Sequence, residues 1–231
     1  RSGLPPEQVA QWWNGLTPRQ QFDLERACPT ELFDLPGIPA SVRTTIDRPD
    51  LGYSSVGTVR YARDNVEQTS MDWAGKDNCT NYASDALGYG GRMPQKQNSY
   101  TLPRWDSDGW YDGTNGDGSD PLPRSLTHTR SWAGAQANHD FFLHHGGTVV
   151  HGDDVRPGDV MYYTQTQTSG DLTAGETHHT VVVTGVLPDG QVLYTQHSDP
   201  ALNYPLSGRL PEFQQQHGQQ LIEIVRPKVT W

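Results

Sequence analysis

The sequence predicts an α+β fold, in which several helices come first and an antiparallel β-sheet follows. Before Thr148, apolar residues recur mainly at the three- and four-residue steps of half-buried helices. From Thr148 onward, short β-branched runs alternate with turns that contain glycine and proline, which is typical of strands. Helices grouped ahead of strands favour α+β over an alternating α/β arrangement.

Residues 1–46 are predicted to form a small helical segment in front of the main domain, residues 47–231. Thr17 and Gln20 have the spacing of a capping box, in which each side chain satisfies a free N–H group of the other residue. Pro29 is expected to end the helix that this box begins. The polar residues 47–58 include glycine and proline and predict a linker.

Two helices in series are expected at the start of the main domain. Val59, Ala62, Val66 and Trp73 share one face of the first helix. The second covers residues 77–91, with Asp77 or Asn78 as its N-cap and glycines at its end. A long loop, residues 92–130, and a third helix, residues 131–146, come next.

The sheet is predicted from runs of β-branched and aromatic residues late in the chain. Pro188-Asp189-Gly190 is a turn signal that makes the strands on either side antiparallel neighbours. The expected strands cover residues 148–150, 160–163, 179–187, 191–197 and 221–226.

Composition and charge exclude several classes of function. The 231-residue chain has a formal net charge of −10. Such a chain gains nothing from phosphate contacts, so we expect no nucleic-acid partner. No apolar run approaches the roughly 18 residues that cross a membrane, so no membrane insertion is expected. Cys28 and Cys79 are too few to form a disulfide framework, which leaves the compartment open.

Cys79 is the candidate nucleophile, because it lies at the predicted start of a helix. The positive end of the helix dipole favours the thiolate there, and free backbone N–H groups could stabilise an oxyanion. The alternative interpretation is a small buried cysteine that only packs. We assign that packing role to Cys28, which is far in sequence from any acid–base residue.

A thiol nucleophile needs a base and a group that orients the base. Strand alternation places His178 and His179 on opposite faces, so only one of them is expected to face Cys79. The neighbouring strand brings His197 close to His179 if the register allows. Zinc bound by these three histidines and Asp199 is a less favoured alternative, since no metal-binding motif supports it.

The long loop carries acidic residues that could hold a structural calcium ion through carboxylate oxygens. They lack EF-hand spacing, so a solvated, turn-rich loop is favoured and no cofactor is expected. The acidic residues are Asp106, Asp108, Asp112, Asp117 and Asp120. Trp110 in the same loop and Trp132 after it could line a substrate cleft or form a small core of their own.

Taken together, the main domain resembles the amidase-domain family of bacteria, among the papain-like cysteine amidases and peptidases of the NlpC and CHAP type. The matching segments are Asn78-Cys79-Thr80-Asn81-Tyr82, Ala86-Leu87, Gly90-Gly91, Trp110-Tyr111, Ser131-Trp132, residues 156–160, residues 179–185 and Gln196-His197. The family usually has Asp where Asn78 stands and Gln where Asp85 stands. Residues 12–43 resemble a helical module found ahead of hydrolase and toxin domains in secreted actinobacterial proteins.

The resemblance implies that Cys79 is the nucleophile, His179 the base and His197 the polar third member of the site. It implies a papain-like fold of the NlpC/CHAP type, with the cysteine helix packed on an antiparallel sheet. We expect Asn78, Trp110 and Trp132 to contact the substrate.

The implied activity is that of a cysteine-dependent amidohydrolase or peptidase, which cleaves peptide amides through a thioester. Peptidoglycan stem or cross-peptides are the favoured substrates by family analogy. The helical module indicates a secreted or cell-wall-associated bacterial protein, as part of a toxin with an immunity partner. The alternatives are a toxin domain that deamidates or acylates a target protein with the same site, and a non-catalytic cell-wall binding module.

Overall fold

The structure, a computed structural model, describes residues 3–67, 78–98, 101–114 and 123–231. Within these ranges it combines helices with a six-stranded antiparallel sheet, which confirms the predicted α+β class. No helix in these ranges has the length and apolar character needed to span a bilayer.

The N-terminal segment is helical, as expected. It contains α1 (Pro6–Asn14), α2 (Pro18–Ala27), α3 (Pro29–Asp34) and α4 (Ala40–Asp47). The capping box before α2 is present: Gln20 N–H donates to Thr17 Oγ1, and Thr17 N–H donates to Gln20 Oε1 at 2.9 Å. Apolar side chains of these helices pack around Trp13 and against Val56 of the main domain.

The expected linker at residues 47–58 is wrong. A 3₁₀ turn, Pro49–Leu51, and the start of α5 (Ser55–Asp64) fall inside it. The Asp47 carboxylate accepts a hydrogen bond from Val56 N–H at 3.1 Å, and Ser54 Oγ accepts one from Gly57 N–H at 2.8 Å. The polar side chains of this stretch therefore cap a helix and fasten it to α4. The division of the chain after residue 46 stays a prediction.

The cysteine helix, α6 (Cys79–Asp85), is buried along its whole length and continues into a π-helical turn, Ala86–Gly90.

The long loop holds a 3₁₀ turn at Pro103–Trp105. The helix predicted at residues 131–146 is interrupted by the extended backbone of Gly134. It is split into α8 (Arg130–Ala133) and α9 (Ala135–His144), with α7 (Arg124–Thr127) before them. Trp73 and Asp77 lie outside the described residues.

The sheet has the strand order β1-β6-β2-β3-β4-β5, in which the last strand lies between the first two. The strands are β1 (Thr148–Val149), β2 (Val160–Gln165), β3 (Thr177–Val186), β4 (Val192–Gln196), β5 (Ala201–Pro205) and β6 (Gln220–Arg226). Between β5 and β6, α10 (Leu206–His217) crosses the sheet. The sequence did not predict β5 or α10.

Helices cover both faces of the sheet. On one face, Val182 of β3 packs with Tyr82, Ala83 and Ala86, so the cysteine helix lies on the sheet as expected. On the other face, α10 packs its Phe213 and neighbouring apolar side chains against β2 and β3. This layering brings the start of α6 to the side of β3.

Candidate active site

Cys79 is buried at the first turn of α6, beside the N-terminal half of β3. Its Sγ lies 3.8 Å from Thr80 Oγ1, and the His179 imidazole and the backbone amide of Thr180 are close enough to lower the pKa of the thiol. Thr80, the next residue, bonds to Thr180 through their hydroxyl groups at 3.0 Å, which fastens the start of the helix to the strand. The cysteine and the histidine predicted as its base are therefore brought together.

The electrostatics of this contact favour charge separation. Burial is the largest single influence on the Cys79 thiol and acts to raise its pKa, but the His179 imidazole, the Thr180 amide and the Thr80 hydroxyl together lower the pKa below its usual value. Burial is likewise the largest influence on His179 and acts to lower its pKa, but Cys79 and Gln196 together raise it. The two shifts stabilise a thiolate–imidazolium pair, and the thiolate is the nucleophilic form of cysteine.

Gln196, at the end of β4, is the partner of the histidine. Its Oε1 lies 2.8 Å from His179 Nε2. Its Nε2 donates to the carbonyl oxygens of Ser198 and Asp199, at 2.8 and 2.9 Å. Because carbonyls only accept, these two bonds set the amide with its oxygen toward His179. His179 Nε2 therefore carries a proton, and Nδ1 is the ring nitrogen left for Cys79.

His197 is not at the place expected of the third member of the site. Its Nδ1 lies 3.0 Å from Asn78 Oδ1, and its ring lies 5.8 Å from the Tyr82 ring. The side chain that contacts His179 Nε2 is instead that of the preceding residue, Gln196. Sequence reasoning missed Gln196 because histidine has the more obvious acid–base chemistry, although the Gln196-His197 pair was part of the matching pattern.

The expectation that His178 and His179 lie on opposite faces is also wrong. Tyr163 of β2 pairs with His179, but the next residue, Thr164, pairs with Thr177. His178 is thus an extra residue in a β-bulge, which interrupts side-chain alternation. Both histidine rings stack on Phe213 of α10, with centroids 5.8 and 6.0 Å from it. They differ in their partners, since His178 Nε2 lies 2.7 Å from Gln220 Oε1.

Asn78 occupies the N-cap position of α6, but its side chain does not cap the helix. The first intrahelical bond runs from Tyr82 N–H to Asn78 O. The amides of Cys79, Thr80 and Asn81 therefore precede the first helical bond and point outward from the start of the helix. Such amides can stabilise negative charge that develops on a carbonyl oxygen.

A comparison of the sequence with models of known protein families identifies the family of the domain that contains these residues. A family model described as "Putative amidase domain" matches residues 52–221, which is more than half of the chain. The chain belongs to this amidase family. Membership indicates a hydrolase that acts on amide bonds, in agreement with the expectation from sequence. The searches of curated proteins and of solved structures found no significant match.

The two tryptophans expected to contact substrate are core residues of the amidase domain. Trp110 and Trp132 are 0 and 1% exposed, and their ring centroids lie 4.5 Å apart. Trp110 Nε1–H donates to Ser84 Oγ, and Trp132 Nε1–H donates to Asp85 Oδ1, both at 3.2 Å. Both indole N–H groups donate to side chains of α6, so the two tryptophans pack against the cysteine helix and help to hold it in place.

The described acidic loop residues bond mainly within the protein. Asp106 accepts hydrogen bonds from the N–H groups of Asn98 and Asp108, at 3.2 and 3.1 Å. Asp117 and Asp120 lie outside the described residues, so calcium binding stays untested. Over the described part of the chain, no three His, Cys, Asp or Glu side chains are grouped to hold a metal ion. The zinc alternative therefore lacks an arranged ligand set there.

A groove on the described surface lies apart from the reactive pair. It encloses about 730 Å³. Trp105, Arg130, Asp140 and His144 are among its lining residues. None of the residues around Cys79 that were described above lines it.

Proposed function

We propose that the amidase domain is a cysteine-dependent amidohydrolase or peptidase that cleaves peptide amides through a thioester. The observation that carries this proposal is the placement of Cys79 beside His179, whose Nε2 bonds to Gln196 Oε1 at 2.8 Å. A nucleophile, a base and a group that orients the base are the three parts that covalent amide hydrolysis requires. The opposite pKa shifts of Cys79 and His179 support the same assignment.

In the first half of the proposed reaction, the Cys79 thiolate attacks the carbonyl carbon of the amide. Backbone amides at the start of α6 stabilise the oxyanion. The His179 imidazolium gives its proton to the leaving nitrogen, the C–N bond breaks, and a thioester remains. In the second half, neutral His179 takes a proton from water, which attacks the thioester. The acid product leaves, and the thiolate and imidazolium are restored.

For the substrate we propose peptidoglycan stem or cross-peptides, in a secreted or cell-wall-associated bacterial protein. The support is the resemblance of the main domain to the NlpC and CHAP enzymes and of the N-terminal helices to a module of secreted proteins. Within this proposal the domain is part of a toxin, and an immunity protein is its partner. Deamidation or acylation of a target protein would use the same three residues. The binding-module alternative loses its support, because Trp110 and Trp132 are buried.

The test is digestion of purified peptidoglycan fragments, with products followed by mass spectrometry in oxygen-18 water. The expected result is a new carboxyl group that contains one heavy oxygen and a new amine. Cys79→Ala should abolish the product, and Cys28→Ala should leave it unchanged. Cleavage that survives Cys79→Ala would contradict the cysteine mechanism. Cleavage of peptide amides with no action on the wall fragments would remove the proposed substrate and leave the mechanism.

A further inference from the structure

The residue before the nucleophile is linked to the far side of the site by its own side chain. Asn78 is 3% exposed. Its Oδ1 lies 3.0 Å from His197 Nδ1, and it accepts a hydrogen bond from Ser198 Oγ, also at 3.0 Å. These two residues follow β4 directly and come from a part of the chain more than a hundred positions away.

The turn that Asn78 holds also determines the position of Gln196. Gln196 Nε2 donates to the carbonyl oxygens of Ser198 and Asp199. Asp199 has a left-handed backbone, with φ of 60°, and its carboxylate pairs with Arg209 of α10. A left-handed backbone is uncommon outside glycine, although aspartate adopts it more readily than most residues. The conformation of this turn sets where the two carbonyl oxygens meet the Gln196 amide.

We propose that Asn78 is a positioning residue, which holds the turn at residues 197–199 so that Gln196 can orient His179 toward Cys79. The contacts form a closed ring: Asn78 to His197 and Ser198, that turn to Gln196, Gln196 to His179, and His179 to Cys79, the neighbour of Asn78. This inference rests on the proposed function for its effect on turnover. It assigns His197 to the same ring, as a donor to Asn78 rather than as a partner of His179.

The acceptor oxygen of Asn78 is the part of the side chain that this role needs. Oδ1 accepts both bonds from the turn, and the described residues show no acceptor for Nδ2. The alternative role for this side chain uses Nδ2, as a donor to the oxyanion or to the substrate. The two roles predict opposite effects of Asn78→Asp, because this substitution keeps the acceptor oxygen and removes the N–H donor.

The experiment compares Asn78→Asp with Asn78→Leu in a Cys28→Ser background, where Cys79 is the sole thiol. Two quantities are measured: the pH profile of Cys79 alkylation by iodoacetamide, and kcat and KM on one peptide amide. Asn65→Leu is the matched control, because Asn65 also bonds at a helix end, donating to Tyr61 O at 2.8 Å, away from the site. Its profile and kinetics should match those of the parent.

Asn78→Leu should shift the alkylation profile toward an ordinary thiol, with a pKa near ~8.5. Its kcat should fall by about 10- to 100-fold, as for other residues that support reacting groups, with KM little changed. Asn78→Asp should restore both quantities to within about threefold of the parent. If the leucine variant does not fold, the same contact is tested from its other end: His197→Leu removes the donor, and His197→Asn restores one.

Three results would overturn the inference. The first is an Asn78→Leu profile and kcat equal to those of the parent. The second is an Asn78→Asp variant as slow as Asn78→Leu with an unshifted profile, which would assign the oxyanion to Nδ2. The third is a rise in KM alone, which would make Asn78 a substrate contact. A parent protein that hydrolyses no amide, but whose alkylation profile responds as described, would contradict the proposed function and keep the positioning role.

Discussion

At the scale of single residues, the two cysteines show that the surroundings can shift the pKa of the same side chain in opposite directions. Burial, and then the nearby Glu31 carboxylate, raise the pKa of Cys28, whose thiol donates to Leu24 O at 3.4 Å. Burial also acts to raise the pKa of Cys79, but His179, Thr180 and Thr80 together lower it. Burial raises the pKa of any thiol, so the polar partners of Cys79 account for the difference between the two cysteines.

This contrast predicts selective alkylation near neutral pH. Cys79 should react first with a small haloacetamide, because only its thiolate is stabilised. Peptide mapping by mass spectrometry after brief treatment would measure both sites in one sample. His179→Ala is the informative variant, since it should slow labelling of Cys79 and leave Cys28 as it was. Faster labelling of Cys28 in the unmodified protein would contradict the assignment of the nucleophile.

The histidines and Gln196 should differ in their effects on turnover. His179→Ala should reduce the rate about as much as Cys79→Ala, on the order of 10³-fold or more, because both halves of the reaction need the base. Gln196→Ala should cost about 10- to 100-fold, since an unoriented imidazole still samples the productive position. His178→Ala should have a small effect, because its ring nitrogen bonds to Gln220.

These effects are read as kcat values of purified, folded variants on one peptide amide. An inactive His178→Ala variant together with an active His179→Ala variant would reverse the assignment of the base. Helix position, a local signal, made Cys79 the candidate nucleophile, and the resemblance to the amidase family selected His179 over His178. It could not rank Gln196 above His197, because that choice depends on which side chain reaches His179 across two strands.

At the scale of elements, predictions held where the signal was local and failed where distant contacts decide. The capping box of α2 lies within four residues, and the sequence predicted it correctly. The bulge in β3 depends on how β2 pairs with it, so alternation counted along β3 gave the wrong face for one histidine. In α10, Gly208 and Pro211 argue against a helix, and packing of Phe213 on the sheet overrides them.

The cysteine helix contains a carboxyl group that should make the stability of the fold depend on pH. Burial, followed by the charge of Asp112, raises the pKa of Asp85 to about 8, although the Trp132 N–H acts to lower it. In the unfolded chain an aspartate has a pKa near ~3.9. The folded state therefore holds one more proton between these two values, and this group makes the free energy of unfolding fall as pH rises through that window.

Asp85→Asn keeps the shape and removes the titration. Denaturant unfolding near pH 5, 7 and 9 should show the parent losing on the order of a few kcal/mol more than the variant as pH rises. The difference between the two curves isolates Asp85 from other titrating groups. Parallel curves across this range would show that Asp85 is ionised in the folded protein.

At the scale of the whole molecule, the N-terminal helices are packed into the same structure as the amidase domain. Buried apolar side chains of α1, α3 and α4 form one cluster with Val56 of α5. Arg26 of α2, itself buried, pairs with Asp153 at 3.1 Å on the turn before β2. These contacts indicate that the segment contributes to the stability of the amidase domain.

Adjacent tryptophans in α1 provide a matched test of this contribution. Trp13 is 2% exposed and Trp12 is 43% exposed. Trp13→Ala should destabilise the protein by about 3–5 kcal/mol, as expected for removing a buried aromatic ring. Trp12→Ala should cost less than about 1 kcal/mol. Exposure of Cys79 to alkylation during unfolding reports on the catalytic site, and it should shift with Trp13→Ala if the segments unfold together. An unshifted Cys79 transition would show that they unfold separately.

The strand order also determines when the sheet of the amidase domain can be completed during synthesis. β6 lies between β1 and β2, and its first residue, Gln220, bonds to His178 beside the base. A growing chain contains Cys79, His179 and Gln196 before residues 220–226 have been added. Its sheet is nevertheless open in the middle, between strands that have no other partner there. β6, which joins β1 to β2, is the last strand of the sheet to be translated, so the sheet beside Cys79 and His179 can be completed only after residue 226 has been added.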